Sequence, residues 1–306
     1  MLRLSLVNNK SNKPVTKAVI AAAGFGTRFL PQTKAMPKEM LPLIDKPIIQ
    51  YVVEELVAVG VKDIIIVTGY SKRSIEDHFD KPSEDLLANL RAGGAKKAHL
   101  LKAVEEIGEL ANFIYIRQKG PYGNATPILN SEHLIADEPF IFTWSDDFIK
   151  STPLRFQQMI DAYNQYGCPI MSTIKATDPN DYSRYGYARG SRINGNTIDV
   201  NQIIEKPGVD HADYDQATVS GFLLTPDIFE YLHKAQDQLI VDQEFYANDM
   251  LKLMIKDKKQ IIALEITNAK YHDAGDKLDY LKTVFDFAIE DPDIGPELKR
   301  YLTNRL

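Results

Sequence analysis

Hydrophobic residues lie in short runs that alternate with segments of helical periodicity. The runs at 17–22 and 64–67 are followed within two residues by glycine, which predicts buried strands. Between them, apolar residues from Ile48 to Val57 recur at helical spacing and predict a helix. The same reasoning predicts strands at 113–116, 140–143 and 169–174, and helices at 72–79, 83–110 with a soft break at Gly93–Gly94, 127–136 and 154–166. This alternation indicates an α/β fold with three layers, a largely parallel sheet, and ligands at the carboxyl ends of its strands.

The pattern changes after residue 180, where long helices give way to strands joined by Gly and Asn turns. Strands are predicted at 185–188, 197–204 and 219–224, and we interpret them as a small antiparallel extension of the same domain. The remaining patterns predict helices at 226–234, 244–256, 277–290 and 296–305, and a strand at 260–266. We therefore divide the chain into an N-terminal tail (1–13), one main domain (14–290) and a C-terminal helical tail (291–306).

The composition is that of a globular protein. With 25% charged and 44% hydrophobic residues among 306, disordered and collagen-like classes are excluded. Lys and Arg number 36 against 42 Asp and Glu, and the net charge of −6 argues against a nucleic-acid partner. Cys168 is the single cysteine, which excludes an intrachain disulfide and a zinc site built on several thiolates. Apolar runs shorter than the ~18 residues of a membrane span, and a start unlike a signal peptide, predict a cytoplasmic protein without a membrane partner.

The clearest chemical signal begins where the first strand ends. It reads Gly24-Phe25-Gly26-Thr27-Arg28, and Lys38 follows ten residues later. Glycines let the backbone approach a ligand, exposed N–H groups bind oxygen atoms, and the two cations can neutralise phosphates. A dinucleotide fingerprint needs a third glycine where Phe29 stands, and a P-loop needs Gly-Lys-Ser/Thr where this chain has Gly-Thr-Arg. By itself, the segment therefore predicts either a different phosphate-binding loop or a tight turn.

Residues 21–42, AAAGFGTRFLPQTKAMPKEMLP, place this loop in a longer string. The string resembles the signature of nucleoside-diphosphate-sugar pyrophosphorylases, in wording close to the bacterial UTP:glucose-1-phosphate uridylyltransferases. The resemblance extends over roughly residues 15 to 290, through His78-Phe79-Asp80, Ile116-Arg117-Gln118, Asp137-Glu138-Pro139-Phe140, Tyr185-Gly186, Glu205-Lys206-Pro207, Gly221 and Asp273-Ala274-Gly275. It implies a Rossmann-like nucleotidyltransferase fold with a mixed, mostly parallel central sheet. It also implies that UTP and glucose 1-phosphate give UDP-glucose and pyrophosphate, with Mg²⁺ as cofactor, in a homodimer or homotetramer.

The resemblance also assigns the nucleotide and catalytic positions. The positions expected around the nucleotide are Ala22, Ala23, Gly24, Gly26, Thr27, Gln118 and Gly123. The residues expected to act in catalysis are Arg28, Lys38, Asp146 and Lys206. Arg28 and Lys38 would bind the triphosphate, while the amide of Gln118 would pair with the edge of uracil.

Sugar and metal positions follow from the same resemblance. Gly186, Glu205, Lys206 and Gly221 are expected around the sugar phosphate. Glu205 would accept hydrogen bonds from sugar hydroxyls, and Lys206 would hold the phosphate. Asp146 and Asp273 each follow a predicted strand and would bind Mg²⁺, which prefers carboxylates together with water and phosphate oxygens.

The expected reaction needs no strong general base. The attacking phosphate has a second pKa of about 6 and is already largely ionised at pH 7. Positioning and charge neutralisation are then the main tasks of the protein. In agreement, the six histidines form no HExxH motif, and the chain has no GxSxG nucleophile signature.

Two segments depart from the family pattern. The usual Gly-Leu-Gly-His-Ala-Val becomes Gly123 followed by Asn124, Ala125, Thr126 and Pro127. The usual Gly-Gly-Glu-Ile-Gln-Leu-Thr-Asp becomes residues 242–249, with Tyr246 in place of Gln. Two alternatives therefore stay open, namely the same chemistry with another nucleotide such as dTTP or another sugar 1-phosphate, and a catalytically silent regulatory relative.

Overall fold

The computed structural model describes residues 12–208 and 215–305. Most of the expected N-terminal tail therefore lies outside the described residues. The strands are β1 (Lys17–Ala22), β2 (Pro42–Leu43), β3 (Lys46–Pro47), β4 (Asp63–Thr68), β5 (Asn112–Arg117), β6 (Phe140–Trp144), β7 (Asp147–Ser151), β8 (Ile170–Lys175), β9 (Gly186–Asn194), β10 (Thr197–Glu205), β11 (Gln216–Leu224), β12 (Ile262–Glu265) and β13 (Ala269–Asp273). The α-helices are α1 (Ile48–Ala58), α2 (Arg73–Phe79), α3 (Glu84–Ala92), α4 (Ala98–Ile107), α5 (Ala125–Ile135), α6 (Arg155–Tyr166), α7 (Ile228–Gln236), α8 (Ala247–Lys256), α9 (Lys277–Glu290) and α10 (Gly295–Thr303).

Within the described chain, nine strands form one mixed sheet in the order β5-β4-β1-β6-β11-β8-β12-β10-β9. Only β10 and β11 run against the other seven, so most strands point the same way, as expected. Three neighbouring parallel strands, β5, β4 and β1, and the adjacent β6 end at one edge. Their carboxyl ends therefore converge, which is where an open α/β sheet binds its ligands.

Successive side chains along the strands point to opposite faces of the sheet, and a hydrophobic core lies on each face. In β1, Ala18 and Ile20 belong to one buried cluster, and Val19 belongs to the other. Helices α1 and α6 cover the first face, and α5, α7 and α8 cover the second. Because successive strand residues point to opposite faces, apolar strands such as Ile64–Val67 supply both cores at once. The three-layer α/β prediction is confirmed.

The helices and strands expected from periodicity are present, including the break between α3 and α4 near Gly93. The segment expected as a strand within the antiparallel extension, β11, lies instead between β6 and β8 in the middle of the sheet. Its first half also pairs with β9, so β11 joins the extension to the central sheet. The shift occurs at Ser220 and Gly221, whose φ angles are +59° and +116°. No helix in the described residues is long and apolar enough to cross a membrane.

Two small two-stranded sheets in the described residues, β2-β3 and β7-β13, were not expected from the sequence, and the second lies near the cavities. Strands β7 and β13 pair antiparallel with Asp147 opposite Asp273. This ladder brings the segment after β6 next to a segment more than 120 residues further along the chain. It therefore places Asp273 beside the carboxyl end of the central sheet.

Candidate active site

Two cavities open at the carboxyl ends of β1, β5 and β6. The larger has a volume of about 980 Å³ and includes Gly24 and Gln118 in its walls. The smaller, of about 340 Å³, includes Glu205 and Lys206. The two cavities share four wall residues: Lys38, Asn124, Trp144 and Asp146. After the ligands expected for their lining residues, we call the larger one the nucleotide cavity and the smaller one the sugar cavity, and the shared residues their common wall.

The loop after β1 forms one wall of both cavities. Gly24 lines the nucleotide cavity, and a Cβ at this position would meet only the side chain of Lys38, at 3.7 Å. Gly26 has a φ of +66° and accepts a hydrogen bond of 2.7 Å from the hydroxyl of Thr33, which closes the turn. Arg28 lines the sugar cavity, and its Nη1 donates to the carbonyl of Gly275 at 3.2 Å. The two glycines thus have different tasks, since Gly24 leaves open space and Gly26 forms the turn.

Lys38 stands at the common wall on a single 3₁₀ turn, Lys38–Met40. Its Nζ donates to Oδ2 of Asp146 at 2.6 Å. Burial opposes its charge, but attraction to Asp146 and Glu39 outweighs burial and leaves the pKa of Lys38 above its ordinary value. Lys38 is therefore a firmly charged cation between the two cavities.

A fully buried ion pair fixes the turn that carries Lys38. Glu39 is 0% exposed and Lys72 is 5% exposed. The Nζ of Lys72 donates to both carboxylate oxygens of Glu39, at 2.8 and 2.7 Å. Burial raises the pKa of Glu39 and lowers that of Lys72, so both groups sit in a medium that disfavours unpaired charge. Their mutual contact anchors the backbone next to Lys38.

The two candidate metal ligands face each other across Gly275. A Cβ on Gly275 would lie 3.0 Å from Oδ2 of Asp146 and 3.1 Å from Oδ1 of Asp273. The missing side chain leaves a small polar gap between two carboxylates. Among the described residues, no group of three or more His, Cys, Asp or Glu side chains could hold a metal. The donor set fits Mg²⁺, which commonly takes one or two carboxylates and completes its shell with water and substrate phosphates.

Other charged and polar groups support these carboxylates. Arg184 Nη2 donates to Asp273 Oδ2 at 2.7 Å and to Asp279 Oδ2 at 2.7 Å. Asp147 accepts from the hydroxyl of Tyr271 at 3.1 Å. Burial and the neighbouring charge of Asp146 raise the pKa of Asp147 to about 7. Asp147 also lines the sugar cavity and is linked to β13 through Tyr271.

The sugar cavity contains a compact polar cluster around Gly186. A Cβ on Gly186 would lie 2.9 Å from Oε2 of Glu205 and 3.0 Å from both Nδ2 of Asn248 and Oγ1 of Thr218. Asn248 Nδ2 donates to Glu205 Oε2 at 2.8 Å. Lys206 follows Glu205 with a φ of +47°, and its Nζ lies 4.0 Å from Oε1 of Glu205. Glycine at 186 is thus what leaves room for three polar side chains to converge.

The two segments that depart from the family pattern touch each other. Gly123 has a φ of +129°, and a Cβ there would lie 2.1 Å from the carbonyl oxygen of Phe245. The amide of Ala125 donates to that same carbonyl at 3.0 Å. The amide of Ala247 donates to Oδ1 of Asn124 at 2.7 Å. The two departures therefore form one structural unit between the two cavities.

The structure brings most, but not all, of the expected site residues to the cavities. The residues that line a cavity are Ala23, Gly24, Arg28, Lys38, Gln118, Gly123, Asp146, Gly186, Glu205, Lys206 and Asp273. Four others line neither cavity: Ala22, Gly26, Thr27 and Gly221. Ala22 points into the core at 1% exposure, and a Cβ on Gly221 would lie 2.3 Å from the carbonyl oxygen of Phe142. Ala22 and Gly221 therefore lie behind the cavity walls, whereas Thr27 is exposed in the loop.

The sequence did not single out Asn248, Thr218 or Arg184 as site residues. Each is polar and lines the sugar cavity, yet none forms a local motif with its contact partners. The available signal was indirect, because Asn248 lies in a segment that differs from the family pattern. Tertiary contact with Glu205 is what identifies it.

Comparisons with known proteins match this geometry. Residues 17–288 match a family model described as nucleotidyl transferase. The chain belongs to this nucleotidyltransferase family. A UTP–glucose-1-phosphate uridylyltransferase of Staphylococcus epidermidis is 39% identical over 290 residues, covering 95% of this chain and 98% of the relative. A Bacillus subtilis relative named UTP–glucose-1-phosphate uridylyltransferase YngB is 40% identical, with 95% of each chain covered.

Solved structures of this nucleotidyltransferase family superpose on most of the chain. A UDP-glucose pyrophosphorylase complexed with UDP-glucose is 35% identical, with a TM-score of 0.78, and the match covers 90% of this chain and 98% of that one. A UTP-bound enzyme of the same kind from Acinetobacter baumannii is 30% identical, with a TM-score of 0.85, covering 95% and 99%. The Rossmann-like nucleotidyltransferase fold expected from the sequence is therefore confirmed.

Proposed function

We propose that this protein is a UTP:glucose-1-phosphate uridylyltransferase. The observation that carries the proposal is the common wall, where Lys38 and Asp146 separate a large cavity from a smaller, more polar one. A reaction that joins a nucleotide to a sugar phosphate needs two adjoining sites with cationic charge between them. The names of the relatives at about 40% identity supply the identity of the two substrates.

The proposed step is an in-line displacement. A phosphate oxygen of glucose 1-phosphate forms a bond to the α-phosphorus of UTP. The bond from that phosphorus to the oxygen bridging to the β-phosphate breaks, and its electron pair leaves with pyrophosphate. Lys38 balances charge near the α-phosphate, while Lys206 holds the sugar phosphate and Glu205 accepts from sugar hydroxyls.

We also propose that Asp146 and Asp273 hold Mg²⁺ in the polar gap beside Gly275. When bound, the ion would neutralise charge on phosphate oxygens. Arg28 lies next to the same gap, with Nη1 3.4 Å from a Cβ placed on Gly275, and would add a second positive charge. The support for this assignment is the spacing of the carboxylates together with their exposure to the sugar cavity.

We propose that the base is recognised in the nucleotide cavity and the sugar in the sugar cavity. Gln118 lines the nucleotide cavity, and its backbone amide donates a hydrogen bond to the carbonyl of Thr68 at 2.9 Å. Its side-chain amide would form hydrogen bonds with the edge of the base. A second candidate function is the same chemistry with dTTP or another sugar 1-phosphate. It is favoured by the contacts of Asn124 with the segment of Phe245 and Ala247, because both segments differ from the family pattern and Asn124 lines both cavities.

Pyrophosphate release tests these assignments directly. UTP, dTTP, CTP, ATP and GTP are each combined with the 1-phosphates of glucose, galactose and N-acetylglucosamine, with Mg²⁺ or with EDTA. A dominant, EDTA-sensitive signal for UTP and glucose 1-phosphate is expected. A different dominant pair would reassign the substrates, and UTP binding without release from any pair would favour the regulatory alternative, although Arg28, Lys38, Asp146 and Asp273 are all kept.

The assembly and location are further parts of the proposal. We propose a homodimer or homotetramer, supported by exposed apolar residues on one side of α9, namely Leu278, Leu281 and Phe285. Light scattering after size exclusion would give the number, and a monomeric mass would contradict the proposal. A cytoplasmic location is supported by Cys168, which is buried and unpaired.

A further inference from the structure

Four large apolar side chains in the wall of the nucleotide cavity are exposed to solvent. Their exposed fractions are 62% for Phe25, 66% for Tyr122, 74% for Ile240 and 88% for Val241. All four line the same cavity. Single exposed apolar residues are common on protein surfaces, whereas a group of them around one cavity is typical of a surface that a ligand covers. We call this group the apolar wall, and it indicates a ligand with an apolar face.

The charged side chains of this cavity are unevenly distributed. Lys38, in the common wall, is the one cation among the described residues that line the nucleotide cavity. Asp242 and Glu244 line the nucleotide cavity but not the sugar cavity, and they lie in the same segment as Ile240 and Val241. Carboxylates repel a triphosphate and Lys38 attracts it, so the phosphates belong at the common wall. The uncharged base and ribose are then left for the apolar wall.

Phe25 and Tyr122 form an aromatic pair within the apolar wall. Their ring centroids are 5.8 Å apart, with 56° between the ring planes. Two glycines with positive φ, Gly120 at +114° and Gly123 at +129°, enclose the turn that carries Tyr122. The carbonyl of Tyr122 also accepts a hydrogen bond of 2.7 Å from the amide of Phe245. A ring on a backbone fixed in this way offers a broad apolar contact at low cost in conformational entropy.

We propose that the aromatic pair packs against the base of the bound nucleoside triphosphate, with Tyr122 as the principal contact. Every base has a π-face, so stacking on an aromatic ring contributes affinity without choosing among bases. The choice among bases is made at the edge of the base, by Gln118. This inference rests on the proposed function and extends it, because it separates affinity for the base, at Tyr122, from selection of the base, at Gln118.

The test measures dissociation constants by isothermal titration calorimetry with Mg²⁺ present and no sugar phosphate. The probes are UTP, dTTP and CTP, with inorganic tripolyphosphate as the probe that lacks a base. Tyr122→Ala should raise the dissociation constants of the three nucleotides by about tenfold, and by the same factor for each, as for the loss of one stacked base. Its dissociation constant for tripolyphosphate should stay unchanged.

Matched variants separate the ring of Tyr122 from other causes. Tyr122→Phe keeps the ring and should bind UTP within twofold of wild type. Tyr70→Ala is the control, since Tyr70 is 90% exposed and lines neither cavity, and it should bind UTP as wild type does. Gln118→Ala should change the ratio of the dissociation constants of UTP and CTP, which Tyr122→Ala should leave unchanged.

Three results would overturn the proposal. They are UTP binding by Tyr122→Ala within twofold of wild type, an equal loss of UTP and tripolyphosphate binding, and a changed ratio of UTP to CTP binding in Tyr122→Ala. Should Tyr122→Ala not fold, Tyr122→Leu supplies the same comparison, with weaker UTP binding at unchanged tripolyphosphate binding supporting the proposal and unchanged UTP binding overturning it.

The binding measurements also keep this inference distinct from the proposed function. If the wild type binds UTP but forms no product with glucose 1-phosphate, the proposed function fails, and the comparison between wild type and Tyr122→Ala still tests the aromatic pair. If product forms but Tyr122→Ala binds UTP as tightly as wild type does, the proposed function stands and this inference is overturned.

Discussion

At the scale of single residues, the site depends on where charge is placed. Lys38 contacts Asp146 at 2.6 Å and lines both cavities, whereas Lys34 in the same loop is exposed and lines neither. The two lysines therefore make a matched pair. One cation borders both cavities, and the other is exposed to solvent.

Lys38→Ala should lower kcat by about 100- to 1000-fold, in the range for loss of a group that stabilises developing charge. Its melting temperature should fall only modestly, because Asp146, which loses its partner, lines both cavities and can be hydrated there. The turn also remains anchored through Glu39 and Lys72. Steady-state pyrophosphate release and thermal unfolding measure the two effects. Lys34→Ala serves as the control, and a Lys38→Ala variant with kcat within threefold of wild type would remove Lys38 from the reaction.

Lys72→Met should be strongly destabilising for a different reason. The substitution leaves Glu39 buried and unpaired, and loss of one partner from such a pair costs about 3–5 kcal/mol. The double variant Lys72→Met with Glu39→Leu should recover much of this loss, because neither charge is then left buried. Denaturant unfolding measures both, with exposed Arg73→Ala as control; equal stability of the two variants would contradict the account.

At the scale of elements, β11 links the sugar cavity to the middle of the sheet. Its register shift at Ser220 and Gly221 divides one edge of β11 between β9, before the shift, and β6, after it, while β8 pairs along the other edge on both sides of the shift. This shift is a β-bulge. Arg155, which is 0% exposed, stabilises it by donating a hydrogen bond to the carbonyl of Ser220 at 2.8 Å. The bulge re-aims the strand so that Thr218 and Ser220 reach the cavity wall.

Gly221→Ala should therefore cost more than about 2 kcal/mol of stability and weaken sugar binding. Both a φ of +116° and a contact of 2.3 Å with the carbonyl oxygen of Phe142 oppose a Cβ there. Gly195→Ala is the control, since a Cβ at Gly195 meets nothing within 4 Å. Denaturant unfolding and the KM for glucose 1-phosphate are the measurements, and equal stability of the two variants would show that the bulge tolerates a side chain.

The strands and helices also show which parts of the fold could be predicted from the sequence. Strands such as Ile64–Val67 and helices such as α1 carry their signal locally, in runs and periodicity, and these predictions are confirmed. Strands β7 and β13 were missed because their short segments, DFIKS and AKYHD, contain few apolar residues and exist through pairing with each other. The central position of β11 was missed because strand order depends on long-range contacts. The local pattern of hydrophobic residues does not encode these contacts.

The same contrast between local signals and long-range contacts applies to the candidate site. The loop from Gly24 to Lys38 forms one continuous string, so its resemblance to the family signature could be recognised from the sequence alone. Asn248 and Glu205 lie 43 positions apart and meet only in the folded chain. Conversely, Gly221 was expected beside the hexose, and its placement behind the wall follows from the bulge.

At the scale of the whole molecule, acid should reduce stability through His78. Its Nε2 lies 2.9 Å from Oε1 of Gln50, and burial lowers the pKa of His78 from the ordinary value of 6.5, against the attraction of Glu54. The folded protein therefore binds this proton less tightly than the unfolded chain does. This contribution to stability is complete above pH 6.5 and is lost as the pH falls below it.

Melting temperatures measured between pH 7.5 and 5 should show this loss. In His78→Gln, part of the decrease should disappear, because the side chain no longer takes up a proton on unfolding. His99→Gln is the matched control at an exposed position. If His78→Gln and His99→Gln follow the wild-type curve equally, His78 does not contribute to the acid sensitivity.

Trp144 is the chain's single tryptophan, and it stands in the wall common to both cavities. Its indole packs edge-to-face on Phe142 and Phe222, so the ring is fixed in the protein while one side faces the site. The chain also has 15 tyrosines, so excitation at longer wavelengths, which tyrosine does not absorb, selects emission from this one residue. Trp144 is positioned where either substrate would change its surroundings. Stopped-flow recordings with each ligand alone, and then in both mixing sequences, can thus reveal the order of substrate binding without any engineered probe.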